Sequence, residues 1–222
     1  MSLVSSVISK VGYRLFPDGS TTIGSTTNPT ETEVIAWINE TVSWILGVCA
    51  EENSQFGRTL GSITTEDGTG DYDDLTDMYC PGFLYDQYGE PYHGFVLKTN
   101  VRNPLRLVQE SEIFNRDPAA ENEPDCYYIS GSYTVNFLDT PNDEYTVKIP
   151  YYQIQDALTA TTDTMPFGGY FDDLIVEAVV LRELNREEYE TPFETQWMQF
   201  VLERARRMIR MRERSYGGVK LA

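Results

Sequence analysis

Two helical regions with apolar stripes are separated by residues 56–155, which read as strands and turns. An amphipathic helix must cover its stripe, so the two ends of the chain are expected to return to each other across that middle. At the N-terminal end the stripe runs Leu3, Val4, Val7, Ile8, Val11 and Leu15, and Pro17-Asp18-Gly19 stops it. After a polar loop, Thr30-x-x-Glu33 forms a capping-box pattern. It predicts a helix of about 20 residues that presents Val34, Trp37, Ile38, Val42, Ile45, Leu46 and Cys49 on one face. Trp37 and Trp44 read as core or interface side chains. At the C-terminal end Phe171, Leu174, Ile175, Ala178, Leu181 and Leu184 share a stripe. Thr191-Pro192-Phe193-Glu194 then gives a second box, with Pro in the first turn, where its missing N–H costs nothing. The last helix is expected to carry Phe193, Trp197, Phe200, Val201, Ala205 and Met208, and to end at Tyr216-Gly217-Gly218.

In the middle, Gly, Pro, Asp and Asn punctuate short runs of Tyr, Val, Ile, Phe and Thr. Strands are predicted at 58–65, 94–99, 126–130, 132–138 and 144–150, with a tight hairpin at Ser130-Gly131 and one short helix within Pro104–Phe114. Val135 and Phe137, then Tyr145, Val147 and Ile149, alternate with polar residues, which predicts a sheet buried on one face. The expected fold class is α+β: an α-helical bundle from N- and C-terminal helices, with an inserted small antiparallel β-sandwich or barrel module. Its parts are 1–55, 56–155 and 156–222, in one continuous structural unit.

The charge is lopsided. The chain has 222 residues, 35 acids and 17 bases, a net of −18. Affinity for a nucleic-acid backbone comes from cations that displace counterions, so such a body argues against DNA as a bound partner. An anionic membrane would repel it too. Residues 1–200 hold 10 bases and 33 acids, whereas 201–222 hold 7 bases and 2 acids. The basic run from Arg204 to Arg214 has two readings: a solvated helix end that complements the helix dipole, or a docking tail for an acidic partner.

Signals of other chemistry are weak. The acidic stretch Asp67–Asp77 lacks the EF-hand Gly and Glu, having Tyr72 and Met78 at those positions, and reads as a solvated turn. Cys49, Cys80 and Cys126 are odd in number and far apart, and His93 is the one histidine, so a His/Cys metal site is not expected. The thiols read as buried or inert, in a reducing compartment. There is no GxSxG, Walker A or GxGxxG pattern, and no catalytic, cofactor or metal residue is assigned. Neither a signal-peptide pattern nor an 18-residue apolar run is visible, so no membrane partner is expected and assembly in a cytoplasm is.

Several segments resemble the head-to-tail adaptor (connector) proteins of tailed bacteriophages. Glu33-Val-Ile-Ala-Trp-Ile-Asn39-Glu-Thr is similar to that family's opening helix. Tyr127-Tyr-Ile-Ser-Gly-Ser-Tyr133, followed by Tyr145-Thr-Val-Lys-Ile-Pro-Tyr-Tyr152, resembles its β module. Met165-Pro-Phe-Gly-Gly-Tyr-Phe-Asp-Asp-Leu174 through Arg182-Glu-Leu184 resembles the lead into its C-terminal helices, and the Arg-rich final helix is similar as well. The resemblance implies a structural virion protein: a ring, usually twelvefold, that docks on the portal, extends the DNA channel and carries the next tail or nozzle protein. DNA would pass without specific binding. Within that reading, Arg207, Arg210, Arg214, Tyr216, Gly217, Gly218 and Lys220 are the expected portal-docking residues, chosen by charge and position. Two rivals stay open, a tail completion or other tail ring protein and an acidic carbohydrate-active enzyme.

Overall fold

The computed structural model describes residues 2–16, 18, 22–85, 90–98, 101–115, 117, 120–184 and 191–216; the side chains of 115, 191–195 and 213–216 lie outside the description. Among the described residues the architecture is mixed α+β, with four helices and a curled multi-stranded sheet. The helices are α1 (Val4–Leu15), α2 (Glu31–Glu51), α3 (Asp172–Leu184) and α4 (Thr191–Tyr216). The chain divides into two compact units: residues 1–57 with 155–222, and residues 58–154.

In the helical unit, α1 buries Val4, Val7, Ile8 and Val11, the predicted stripe, while Leu3 stays 44% exposed. No side chain caps α1. Its first free amides go instead to backbone carbonyls: Val4 N–H donates to Asp163 O (3.0 Å) and Ser5 N–H to Thr161 O (2.9 Å). The capping box on α2 forms as read. Thr30 Oγ1 accepts from the Glu33 amide, and Glu33 Oε2 accepts from the Thr30 amide at 2.8 Å. The buried face of α2 is wider than predicted, since Ile35 and Val48 join it. Trp37 is only half-buried; it lies beside the Arg182 guanidinium, 5.7 Å from the ring centroid. By length and composition α2 is apolar enough to cross a membrane, and half of that apolar window is buried in the fold. It packs against α3 and α4, and α1 packs against α3.

Among the described side chains of α4 the buried ones are Trp197, Val201, Ala205 and Ile209, one every four positions. The stripe therefore runs through Ile209 rather than Met208. Trp197 also donates Nε1–H to Ala178 O on α3 at 2.8 Å and meets the Trp44 ring at 4.5 Å. Each fully buried aliphatic side chain is worth about 1.5–3 kcal/mol relative to exposure. Exposed ion pairs contribute far less. Packing thus sets where α4 lies, and its arginines adjust that position.

In the second unit the strands are β1 (Arg58–Thr64), β2 (Asp71–Tyr72), β3 (Met78–Pro81), β4 (Leu84–Tyr85), β5 (Pro91–Tyr92), β6 (Gly94–Lys98), β7 (Val101–Leu107), β8 (Glu121–Asn122), β9 (Cys126–Ser130), β10 (Thr134–Phe137), β11 (Thr140–Pro141) and β12 (Thr146–Gln153). The main sheet runs β1-β12-β6-β7-β9-β10-β2, with β3 also on β12. It is mixed rather than purely antiparallel: β7 and β9 are parallel, with Arg106 opposite Cys126 and Leu107 opposite Tyr127. The small β8–β11 pair is parallel as well. The short helix expected within Pro104–Phe114 is a 3-10 helix at Glu110–Asn115, while the first part of that range, through Leu107, belongs to β7. Pro104 pairs with Phe95 on one side, while β9 joins the other edge only at 106–107, so the missing N–H breaks no ladder bond. The β9–β10 hairpin turns through three residues, 131–133, not two, with Gly131 at φ +61°. The core is Ile63, Leu75, Val96, Leu105, Val135, Val147 and Ile149, with the rings of Tyr72, Tyr127, Phe137 and Tyr151.

Candidate docking helix

The basic run lies on the second half of α4, and the structure gives its arginines different surroundings. Arg204 reaches α3, with Nη1 2.5 Å from Glu177 Oε2. Arg206 donates to Glu51 Oε2 at 2.5 Å and lies 3.9 Å from Glu52 Oε1. One turn on, Arg210 holds both Glu52 oxygens, Nε to Oε2 at 2.9 Å and Nη2 to Oε1 at 2.7 Å. Arg212 sits on two aromatic rings, 4.4 Å from the Phe56 centroid and 4.9 Å from that of Tyr170. Those rings stack on each other at 4.7 Å, and Tyr170 donates its hydroxyl to Met208 O at 3.2 Å.

Of the expected docking residues, Arg207 and Arg210 are brought together on this ridge. Arg207 is exposed, and among the described residues it forms no ion pair. It stands between two clefts. One, of about 480 Å³, is lined by Glu203, Arg206, Arg210 and Met211 as well; the other, of about 780 Å³, adds Phe200, Leu174 and Met208. Arg214 and Tyr216 continue the helix, with side chains outside the description. Gly217, Gly218 and Lys220 fall outside the described residues.

Electrostatics follows from the pairing. The hydrogen bonds from Arg210 hold the Glu52 carboxyl below its ordinary 4.5, against the opposing effect of burial, and the charges of Arg210 and Arg206 add to the lowering. Arg210 is raised in turn by the same bonds. The positive end of the chain is thus partly neutralised by the acids Glu51, Glu52 and Glu177. Sequence reasoning missed these three partners. A signal existed: Glu51 and Glu52 close α2 at its negative end, where the helix dipole favours a cation and an acid calls for one nearby.

Elsewhere the expected alternatives take structural positions. In the acidic 67–77 stretch, the Tyr72 hydroxyl donates to Thr69 O (2.9 Å) and accepts from the Glu66 amide (2.8 Å), while Asp77 accepts from the Tyr151 hydroxyl (2.8 Å). His93 offers its carbonyl to the Tyr127 hydroxyl at 2.9 Å, and burial lowers its ring pKa. The three cysteines are free thiols; Cys49 and Cys126 are buried and Cys80 half-buried, and burial raises the pKa of Cys80 and Cys126. Among the described residues no group of three or more His, Cys, Asp and Glu is placed to hold a metal ion.

Comparison with known proteins adds one family. The sequence model described as SU10 adaptor protein matches residues 3–220, covering all four helices and the whole sheet. A comparison with curated proteins gives no match. The matched span takes in both units and the arginine ridge: the chain belongs to the SU10 adaptor protein family, a family of phage adaptor proteins.

Proposed function

We propose that this protein is the head-to-tail adaptor ring of a tailed-phage virion, docked on the portal through the end of α4. The observation that carries the reading is the arginine ridge itself. It is the basic end of an acidic chain, with Arg207 exposed between two clefts and Arg210 beside it. In the assembled neck, Arg207, Arg210, Arg214 and Tyr216 contact the portal, and the segment with Gly217, Gly218 and Lys220 extends that contact. Twelve copies close the ring through heterologous interfaces on their flanks. The opposite rim receives the next tail or nozzle protein.

The acidity of the body supports the channel role. A wall that repels phosphate lets DNA slide, because tight backbone contact depends on Lys and Arg. The protein then acts without catalysis or a cofactor, and its place is the virion neck, reached after synthesis in the host cytoplasm. Electron microscopy of the particle with a tag after Ala222 tests this. Density for a ring beneath the portal, with the tag on its portal side, is the expected result. A neck without this protein overturns the reading. Mixing purified protein with purified portal, followed by a size measurement, supplies the ring stoichiometry.

A further inference from the structure

Arg206 and Arg210 lie one turn apart on α4, and both are already seated on carboxylates. Arg210 meets Glu52 with two parallel bonds, the fork geometry with which guanidinium recognises a carboxylate. Each pair keeps one member in water: Arg210 is 60% exposed and Glu51 58%, against 17% for Glu52 and 33% for Arg206. The water-facing member of each pair leaves an incoming carboxylate a route to the guanidinium groups. Beside them, Arg207 and the 61% exposed Met211 complete the cleft of about 480 Å³.

We propose that this ridge receives an acidic segment of a separate protein, and that Glu51 and Glu52 are its internal stand-ins. They hold the guanidinium groups in docking geometry and release them when the partner's carboxylates arrive. The inference rests on the docking reading above and specifies the chemistry and control of that surface. Exchange of one carboxylate for another keeps the number of ion pairs constant. Side chains already ordered lose less entropy on docking than free ones. The net gain then comes from Arg207, which has no ion pair of its own among the described residues, and from Met211, whose thioether adapts to apolar side chains. Competition by Glu51 and Glu52 lowers the affinity, so docking is reversible until many subunits engage together.

The test measures binding of the full chain to two probes, the purified portal of the same phage and a helical Glu/Leu peptide. Glu51→Gln with Glu52→Gln removes the competitors and is expected to bind the peptide about three- to tenfold more tightly than wild type. Asp18→Asn with Asp156→Asn makes the same charge change at exposed positions that line neither cleft and is expected to leave binding near wild type. Glu52→Arg with Arg210→Glu keeps a pair between α2 and α4 but puts an acid on the ridge, so binding should be lost. Arg207→Ala leaves both pairs intact and should weaken binding about fivefold. Circular dichroism checks that each variant is folded. Unchanged or weaker binding by the folded double-glutamine variant overturns the proposal, and so does a gain in self-association with no gain for the peptide. Wild type that binds peptide but not portal leaves this inference standing and overturns the docking reading. Wild type that binds portal, with no tightening in the glutamine variant, overturns this inference alone.

Discussion

The helical unit closes by joining residues 1–57 to 155–222, whereas the sheet unit is the uninterrupted stretch 58–154, and their polar links differ in kind. In the helical unit they are ion pairs between long side chains at the surface: Lys10 with Asp173, Arg182 with Glu40, Arg204 with Glu177, and Arg206 and Arg210 with Glu51 and Glu52. In the sheet unit Lys98 pairs with Glu123 at the surface, but the buried links are tyrosine hydroxyls: Tyr72 to Thr69 O, Tyr127 to His93 O, Tyr151 to Asp77. A buried hydroxyl that loses its partner costs a full desolvation penalty, so those bonds pin the strands. Exposed ion pairs cost little to break, so α4 can change its partners without unfolding.

The largest effect that could break this comparison comes from emptying each core. Tyr127→Ala removes a fully buried ring and is expected to cost about 3–5 kcal/mol. Ile45→Ala on α2 should cost about 2–5 kcal/mol. Hydrogen exchange locates each loss. Protection should fall across 58–154 in the first variant and across the helices in the second. An equal fall everywhere in both would mean that the two units unfold as one.

A smaller effect probes a buried side-chain bond within the helical unit. Trp197→Phe keeps most of the ring but leaves Ala178 O without the indole donor, at a cost of about 1–3 kcal/mol. Melting temperature measures it. A neutral result would show that water or repacking replaces the donor.

Alkali sharpens the contrast from the other side. Burial, and then the hydrogen bond to Asp77 and its charge, push Tyr151 from 10.0 to about 12, and burial raises Tyr127 as well. A raised native pKa means that the folded state holds its proton longer than the unfolded one. The stability this adds is complete below pH 10 and is lost as the pH climbs toward 12. Tyrosine absorbance and strand protection should therefore change together in that window. Strands that stay protected past it would remove these hydroxyls from the account.

How much of this was legible in the sequence follows from the range of each interaction. The helices rest on local signals, so the α2 capping box and the α1 stripe could be read directly. The α4 stripe slipped by one residue because Met208 and Ile209 are both apolar and only packing distinguishes them. The sheet rests on pairing between distant residues. Nothing near Pro104 announces a parallel neighbour at Cys126, so β7 was missed, whereas the short helical turn after it rests on local signals and was read. The docking ridge was half legible: its charges are visible in the run from Arg204 to Arg214, but Glu51 lies 155 positions from Arg206. The one local clue was an acid pair at the negative end of a helix.

The smallest effect is acid titration of the α2–α4 pair. The native Glu52 carboxyl lies below 4.5 because Arg210 bonds it. A lowered native pKa gives stability that is present above 4.5 and lost as the pH falls through the native value. Arg210 is 60% exposed although Glu52 is only 17% exposed, and water screens the pair from the Arg210 side, so global melting should move little. Amide protection at the end of α4, taken against the intrinsic exchange rate at each pH, should fall on acidification, and Glu52→Gln should show that lower protection already at neutral pH. The sheet unit supplies the control. Glu123 is also held low, by Asn103 and then Lys98, so acid should loosen the strands around it in wild type and in Glu52→Gln alike. If acid lowered protection in α4 equally in both proteins, Glu52 would not be the group that fastens it, and the difference between the two units would have to rest on buried hydroxyls alone.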